Sequence, residues 1–339
     1  MKLKKWNLVL IVLAIAIFLI WMSVSVGIDT VLSIIGQLKV SWMLGAVLCM
    51  VIYWGLEADA LHAIAKKLCP GQKFSSSLRT SMIGQFFNCV TPFSSGGQPM
   101  QAYSMVRSGM PLSTATISLL IKFIVYQSVL TLYSVVTLIV YFSSFAQKID
   151  NFIYLVLIGF LVNLAVVIGL FCLCFLSRFT QWIANRTINL LAKLRLLKHP
   201  EEKRKYIQAE VTKFHAGIQE MQKYKGAVGH TIVSTILQLT AFYLIPYCIY
   251  RALGQAGASV FEIISAQACV QMISSFVPSP GAVGGAEISS LAIFNMFFPQ
   301  SFLEVSVLLW RLITFYAPIL LGLFTMLCVR RKKIDACSI

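Results

Sequence analysis

The chain has 339 residues, of which 58% are hydrophobic and only 12% charged, and its mean hydropathy is +0.81. Soluble domains carry about 25% charged residues, so this composition excludes a soluble globular enzyme and points to an integral membrane protein. A formal net charge of +16 would suit a nucleic-acid binder, but its placement along the chain excludes nucleic acid as a partner.

The first apolar run, 8–26, resembles a signal peptide and even ends near the small residues Ser23 and Ser25. It is long for the apolar core of a leader, and a retained first helix is expected. Further runs at 42–65, 112–142, 152–176, 228–250 and 302–329 each meet the ~20 residues that a helix needs to cross the hydrocarbon core. The predicted fold class is therefore an all-α polytopic membrane protein with about six spanning helices.

Two apolar stretches do not fit that pattern. Segment 75–108 carries Pro92, Gly96, Gly97 and Pro99 in its middle, and segment 261–298 carries Pro278, Pro280, Gly281, Gly284 and Gly285. Proline and paired glycines break a helix, and the freed backbone groups are not tolerated facing lipid, so such a break lines a cavity. Matched breaks in two halves of one chain are the sequence pointer to a transport site. The halves, 1–142 and 152–339, share further features: Gly71 and Gln72 after one span match Gly254 and Gln255 after another. One buried cation follows each break in a similar string, Lys122 after Leu119-Leu-Ile and Arg311 after Leu308-Leu-Trp. With three spans per half, the second half enters the membrane from the opposite side. This predicts an inverted-topology repeat with two re-entrant hairpins whose tips approach each other near the midplane.

The second half is interrupted at 177–226 by two amphipathic stretches, with Phe179, Ile183, Leu190, Leu194 and Leu197 at helical spacing in one and Ile207, Val211, Phe214, Ile218 and Met221 in the other. Pro200 followed by Glu201 and Glu202 marks a helix start. These helices are expected in the cytoplasm, lying on the inner leaflet or capping the cavity mouth. Of 28 Lys and Arg, Lys122 and Arg311 fall within spans and only Lys39, Lys148 and Arg251 in alternate connections. The rest sit on one side, which sets both termini in the cytoplasm of a bacterial-type plasma membrane.

Ionisable residues within spans are costly, about 2.5–3.5 kcal/mol each on insertion scales, and are functional candidates by default. Arg311 leads, since a guanidinium can grip a phosphate bidentately. Glu287 either holds Arg311 in the empty site and releases it to a phosphate or forms a permanent pair with it that only fixes packing, and Lys122 offers a second point charge or snorkels to the interface. Asp59 and His62 share a helix face where a proton relay or a solvated helix end is expected. At the breaks, Asn88, Thr91, Gln98 and Gln101 line the first, and Ser275 with Pro278 and Gly281 the second. Gly96, Gly97, Gly284 and Gly285 are expected to start half-helices whose free N–H groups face an anionic headgroup. Glycine there would let the headgroup approach closely.

The scattered cysteines read as small buried hydrophobes, with no disulfide or metal framework. A phosphate-binding G-x-x-x-x-G-K-[ST] loop, an H-E-x-x-H pair and a G-x-S-x-G elbow are all absent. No cofactor, metal or catalytic set is expected; a transporter is.

The run G-x-F-x-N-x-x-T-P-x-x-x-G-G-x-P-x-x-x-Y, from Gly84 to Tyr103, resembles the first hallmark of the lysylphosphatidylglycerol synthase transmembrane family. P-x-P-G-x-x-G-x-x-E, from Pro278 to Glu287, resembles the second. That family is a flippase-like module, found alone or fused to a soluble domain that attaches an amino acid from tRNA to phosphatidylglycerol. In the fused form it moves the aminoacylated lipid outward, giving resistance to cationic antimicrobial peptides. The resemblance implies Glu287 and Arg311 as a central pair in a headgroup cavity. Gln101 stands where related hallmarks carry an arginine. The 339 residues stop just past the last span, so a stand-alone module lacking the lysyltransferase domain is expected. The expected function is movement of an anionic or aminoacylated phospholipid between leaflets, with a separate lipid-modifying enzyme and self-association as possible partners. The alternatives are a membrane-bound transferase of an aminoacyl-lipid or glycolipid pathway and an accessory subunit of one.

Overall fold

In hydrocarbon every backbone polar group must find its partner within the chain, and a run of apolar residues does so by forming a helix. A computed structural model describes residues 33–146, 152–193, 200–221, 223–275 and 277–327. Among them the regular structure is entirely helical, with no strand. Five helices are long and apolar enough to cross a membrane. They are α1 (Val40–Leu68), α4 (Leu112–Ala146), α5 (Phe152–Phe175), α8 (Lys225–Ala252) and a composite last span. The last span runs as α11 (Gln300–Arg311), a π-helical turn at Leu312–Tyr316 and α12 (Ala317–Leu327). The chain is therefore an all-α polytopic membrane protein. The predicted span 8–26 lies outside the described residues.

Both broken segments form helical hairpins. The first is α2 (Phe74–Val90) and α3 (Gly97–Arg107); the second is α9 (Val260–Ser274) and α10 (Gly285–Phe294). Ser259 and Glu262 close a reciprocal capping box at the start of α9.

Helices α1 and α8 form the central pair and run antiparallel. Lys39 N–H donates to Ala252 O at 2.9 Å, and Thr231 Oγ1 donates to Ala60 O at 3.3 Å. The C-terminal end of α1 thus lies beside the start of α8, and the C-terminal end of α8 beside the start of α1. Since the first hairpin follows α1 and the second follows α8, the two enter the bundle from opposite ends. Their tips meet, and Pro92 and Pro280 form an isolated antiparallel bridge. That contact fixes the register between the halves. Pro280 is the counterpart of Pro92. The next two residues of each tip are left-handed, Phe93 (φ 53°) and Ser94 (52°) in one and Gly281 (60°) and Ala282 (56°) in the other. The turn hydrogen bonds match as well. Ser94 N–H donates to Thr91 O and Ser95 N–H to Pro92 O; Ala282 N–H donates to Ser279 O and Val283 N–H to Pro280 O.

The amphipathic stretch is α6 (Ser177–Lys193) and α7 (Pro200–Met221). Helix α7 packs against the spans. Ile218 and Met221 are buried with Ile64 of α1, Ile117 of α4, Cys174 of α5 and Ala227 of α8. A Cβ at Gly217 would strike the Ile117 side chain, so the glycine lets α7 sit directly on α4. Cys49, Cys89, Cys172, Cys174, Cys248 and Cys269 are free thiols as expected, whereas Cys69 is disulfide-bonded, contrary to the sequence reading.

Candidate functional site

Between the hairpins lies a cavity of about 770 Å³, walled by α1, α4, α5, α8 and the last span. That volume falls within the 300–1,000 Å³ usual for small-molecule sites. Asn88, Gln98, Gln101, Lys122, Ser275, Gly281 and Arg311 all line it. Thr91, Gly96, Gly97, Pro278, Gly284, Gly285 and Glu287 are not part of its wall.

The glycines have another task. A Cβ at Gly84 would collide with the Gln101 side chain, one at Gly97 with Asn88, and one at Gly96 with Thr91. These contacts step down the first hairpin towards its tip and let α2 and α3 touch. Gly285 meets Val277 in the same manner. The sequence reading had these glycines admitting a headgroup to the backbone, but at three of them the space is filled by the opposite arm of the hairpin. Their amides are partly committed too, for Gly96 N–H donates to Thr91 Oγ1 at 2.8 Å and Gly284 N–H to Glu287 Oε2 at 2.6 Å.

Arg311 is 5% exposed at the end of α11. Its Nε lies 2.8 Å from Glu287 Oε1, yet the N–H is not aimed at that oxygen. Attraction between the charges depends on distance and survives, while the directional hydrogen bond is missing. Nη1 and Nη2 donate to Gly281 O at 3.3 Å and Ala282 O at 3.4 Å, and the guanidinium sits over the rings of Trp310 and Phe315. Arg311 therefore grips the left-handed tip of the second hairpin by its carbonyls. The π turn that follows has a local cause. Pro318 has no N–H to give to Thr314 O, and the ladder shifts by one residue, Ala317 N–H donating to Leu312 O. The turn brings Phe315 against Gly281, where a Cβ would clash with its ring.

Lys122 neither snorkels nor stands as a free charge. Its Nζ donates to Glu57 Oε1 at 2.7 Å, with Lys122 8% and Glu57 5% exposed. Gln85 donates to the other Glu57 oxygen and also reaches Tyr53 Oη. The proposed Asp59–His62 relay is not formed. Asp59 Oδ2 turns to α8, 2.7 Å from both His230 Nε2 and Ser234 Oγ, and His62 faces Ser77. Glu57, two residues before Asp59 on the same helix, faces the cavity instead.

The middle of the cavity also holds amides that sequence reasoning missed. Gln127 donates to Asn163, Asn163 donates to Ser275 Oγ at 3.0 Å, and Gln238 lies across from Tyr53. The available signal was an uncharged amide in the middle of each of three spans, where a polar group must have a partner. Among the described residues no cluster of His, Cys, Asp and Glu could hold a metal ion.

The family model for the lysylphosphatidylglycerol synthase TM region matches residues 8–322. The chain belongs to that family. A UPF0104 membrane protein of Archaeoglobus fulgidus is 25% identical over 294 residues, 84% of this chain and 86% of its own length. An uncharacterised Mycoplasma pneumoniae protein, the MG306 homologue, is 20% identical over 333 residues, covering 92% of this chain and 84% of that protein.

Proposed function

We propose that this protein is a phospholipid flippase that carries an anionic or aminoacylated lipid, of the phosphatidylglycerol or lysylphosphatidylglycerol type, between leaflets. One observation carries the reading. Two hairpins entering from opposite ends meet at Pro92 and Pro280 beside a polar cavity that contains two buried cations. A headgroup in that cavity contacts both halves at once, so rocking one half against the other exposes it to each leaflet in turn. The lipid tails stay outside in hydrocarbon. Arg311 is the phosphate ligand in this scheme, because its hydrogen bonds are long and its Glu287 pair is misaligned, which leaves donors to redirect. The halves 1–142 and 152–339 act as the two rocking units. The protein lies in the plasma membrane with both termini in the cytoplasm, carries out no chemistry, and works beside a separate lipid-modifying enzyme.

The test is reconstitution into vesicles holding tail-labelled phosphatidylglycerol, with outer-leaflet label quenched by a membrane-impermeant reductant. Quenching beyond half of the label, dependent on protein, is the expected result. Arg311→Ala should slow it by about 10- to 100-fold, the loss of one charge-assisted phosphate contact. An Arg311→Ala protein that folds and moves lipid at the wild-type rate rejects Arg311 as the phosphate ligand.

A further inference from the structure

The polar groups of the cavity divide into those already engaged and those left open. Both cations are engaged, Lys122 with Glu57 and Arg311 with Glu287. Glu57 in the wall and Glu287 behind it balance the two cations, and only Arg311, with its long hydrogen bonds, keeps donors to redirect. A headgroup rich in ammonium groups would need open carboxylates, and a multiply anionic one open cations.

What stays open is neutral. Asn88, Gln98, Gln101 and Gln271 line the cavity, and their amides make no hydrogen bond among the described residues. The Gln238 carbonyl oxygen is buried in the wall without a partner, its residue only 1% exposed. An unpaired buried polar atom is a standing cost that a ligand or water must offset. An amide both donates and accepts, and so does a hydroxyl, the group that matches it without altering the charge balance. These amides come from both hairpins and from α8, so a ligand meeting them all needs hydroxyls pointing in several directions. Tyr53, Tyr126, Phe242 and Trp310 add flat faces to the same wall, suited to the C–H faces of a pyranose ring.

We infer that the headgroup this cavity is built for carries a sugar, making the cargo a glycosylated lipid. The inference rests on the lipid-carrier reading and revises its cargo: the carrier stands, and a sugar takes the place of the phosphatidylglycerol-type headgroup. Vesicles are prepared with one tail-labelled lipid each: a monohexosyl diacylglycerol, a dihexosyl diacylglycerol, phosphatidylglycerol, lysylphosphatidylglycerol or phosphatidylcholine. Protein-dependent movement of a hexosyl lipid should exceed that of the three others by about tenfold, the effect of one or two well-made hydrogen bonds. Gln98→Leu and Gln271→Leu, one in each half of the wall, should each remove most of that preference while the proteins remain monodisperse. Faster movement of phosphatidylglycerol or its lysyl ester, or equal movement of all five, overturns the sugar assignment and leaves the carrier reading standing. Retention of the preference in both leucine variants overturns the assignment to these amides. If no lipid moves above protein-free vesicles, the carrier reading falls and takes this inference with it.

Discussion

The buried Glu57–Lys122 pair offers the sharpest test of the packing described above. The two side chains join α1 to α4 across 2.7 Å, and both residues are more than nine-tenths buried. At an effective dielectric near 20 the Coulomb attraction at that separation is on the order of 6 kcal/mol, largely offset by the desolvation of both ions. The net value of the pair is therefore small, but removing one partner leaves the other charge stranded. Glu57→Gln keeps the shape and strands the Lys122 ammonium, and breaking a buried pair in this way costs about 3–5 kcal/mol. The cavity admits water to one side of the pair, which places the expectation at the lower end, about 3 kcal/mol. Glu57→Gln combined with Lys122→Met removes both charges and should recover most of the loss. Thermal or denaturant unfolding of purified protein in detergent gives the values for wild type, both single variants and the double variant. A Glu57→Gln protein within about 0.5 kcal/mol of wild type, or a double variant no better than the single, refutes the view that these charges depend on each other.

Further expectations follow from the hairpins. In a background with the native cysteines replaced, Pro92→Cys with Pro280→Cys should form a disulfide under mild oxidation, because antiparallel bridged residues lie about 4.5–5.5 Å apart at Cα; a gel shift after cleavage between the halves reads it, and lipid movement should stop until a reductant is added. Gly281→Ala should lower stability by about 2–4 kcal/mol, since a Cβ there meets Phe315 and the left-handed backbone disfavours it; Phe315→Leu should return the part owed to the clash, as seen in the melting temperature. Gly97→Ala should cost about 1–3 kcal/mol through its collision with Asn88, and Asn88→Ala in the same chain should relieve it. Asp59→Asn should change stability by less than about 1 kcal/mol, because the His230 side chain it pairs with is 55% exposed.

The membrane class, the five described spans and the two breaks were written in the sequence, because each follows from a local rule. Twenty apolar residues form a helix whatever lies beside them, and proline with paired glycines interrupts one wherever it falls. Arg311 beside Glu287 was legible for a related reason, since a charge in an apolar run needs an opposite charge and few were on offer. The tertiary structure alone decided the rest. Which face of α1 carries Glu57 depends on where α4 packs, and that contact joins residues 65 positions apart. Counting leaves Pro278 and Pro280 level, 17 and 19 residues after Phe261 against 18 from Phe74 to Pro92, and the spans that hold the tips decide for Pro280. The glycines could be seen to require space, but whether a headgroup or a neighbouring helix fills it is a long-range matter. Local composition fixes what a segment can be; the partner that satisfies it is chosen only when distant segments come together.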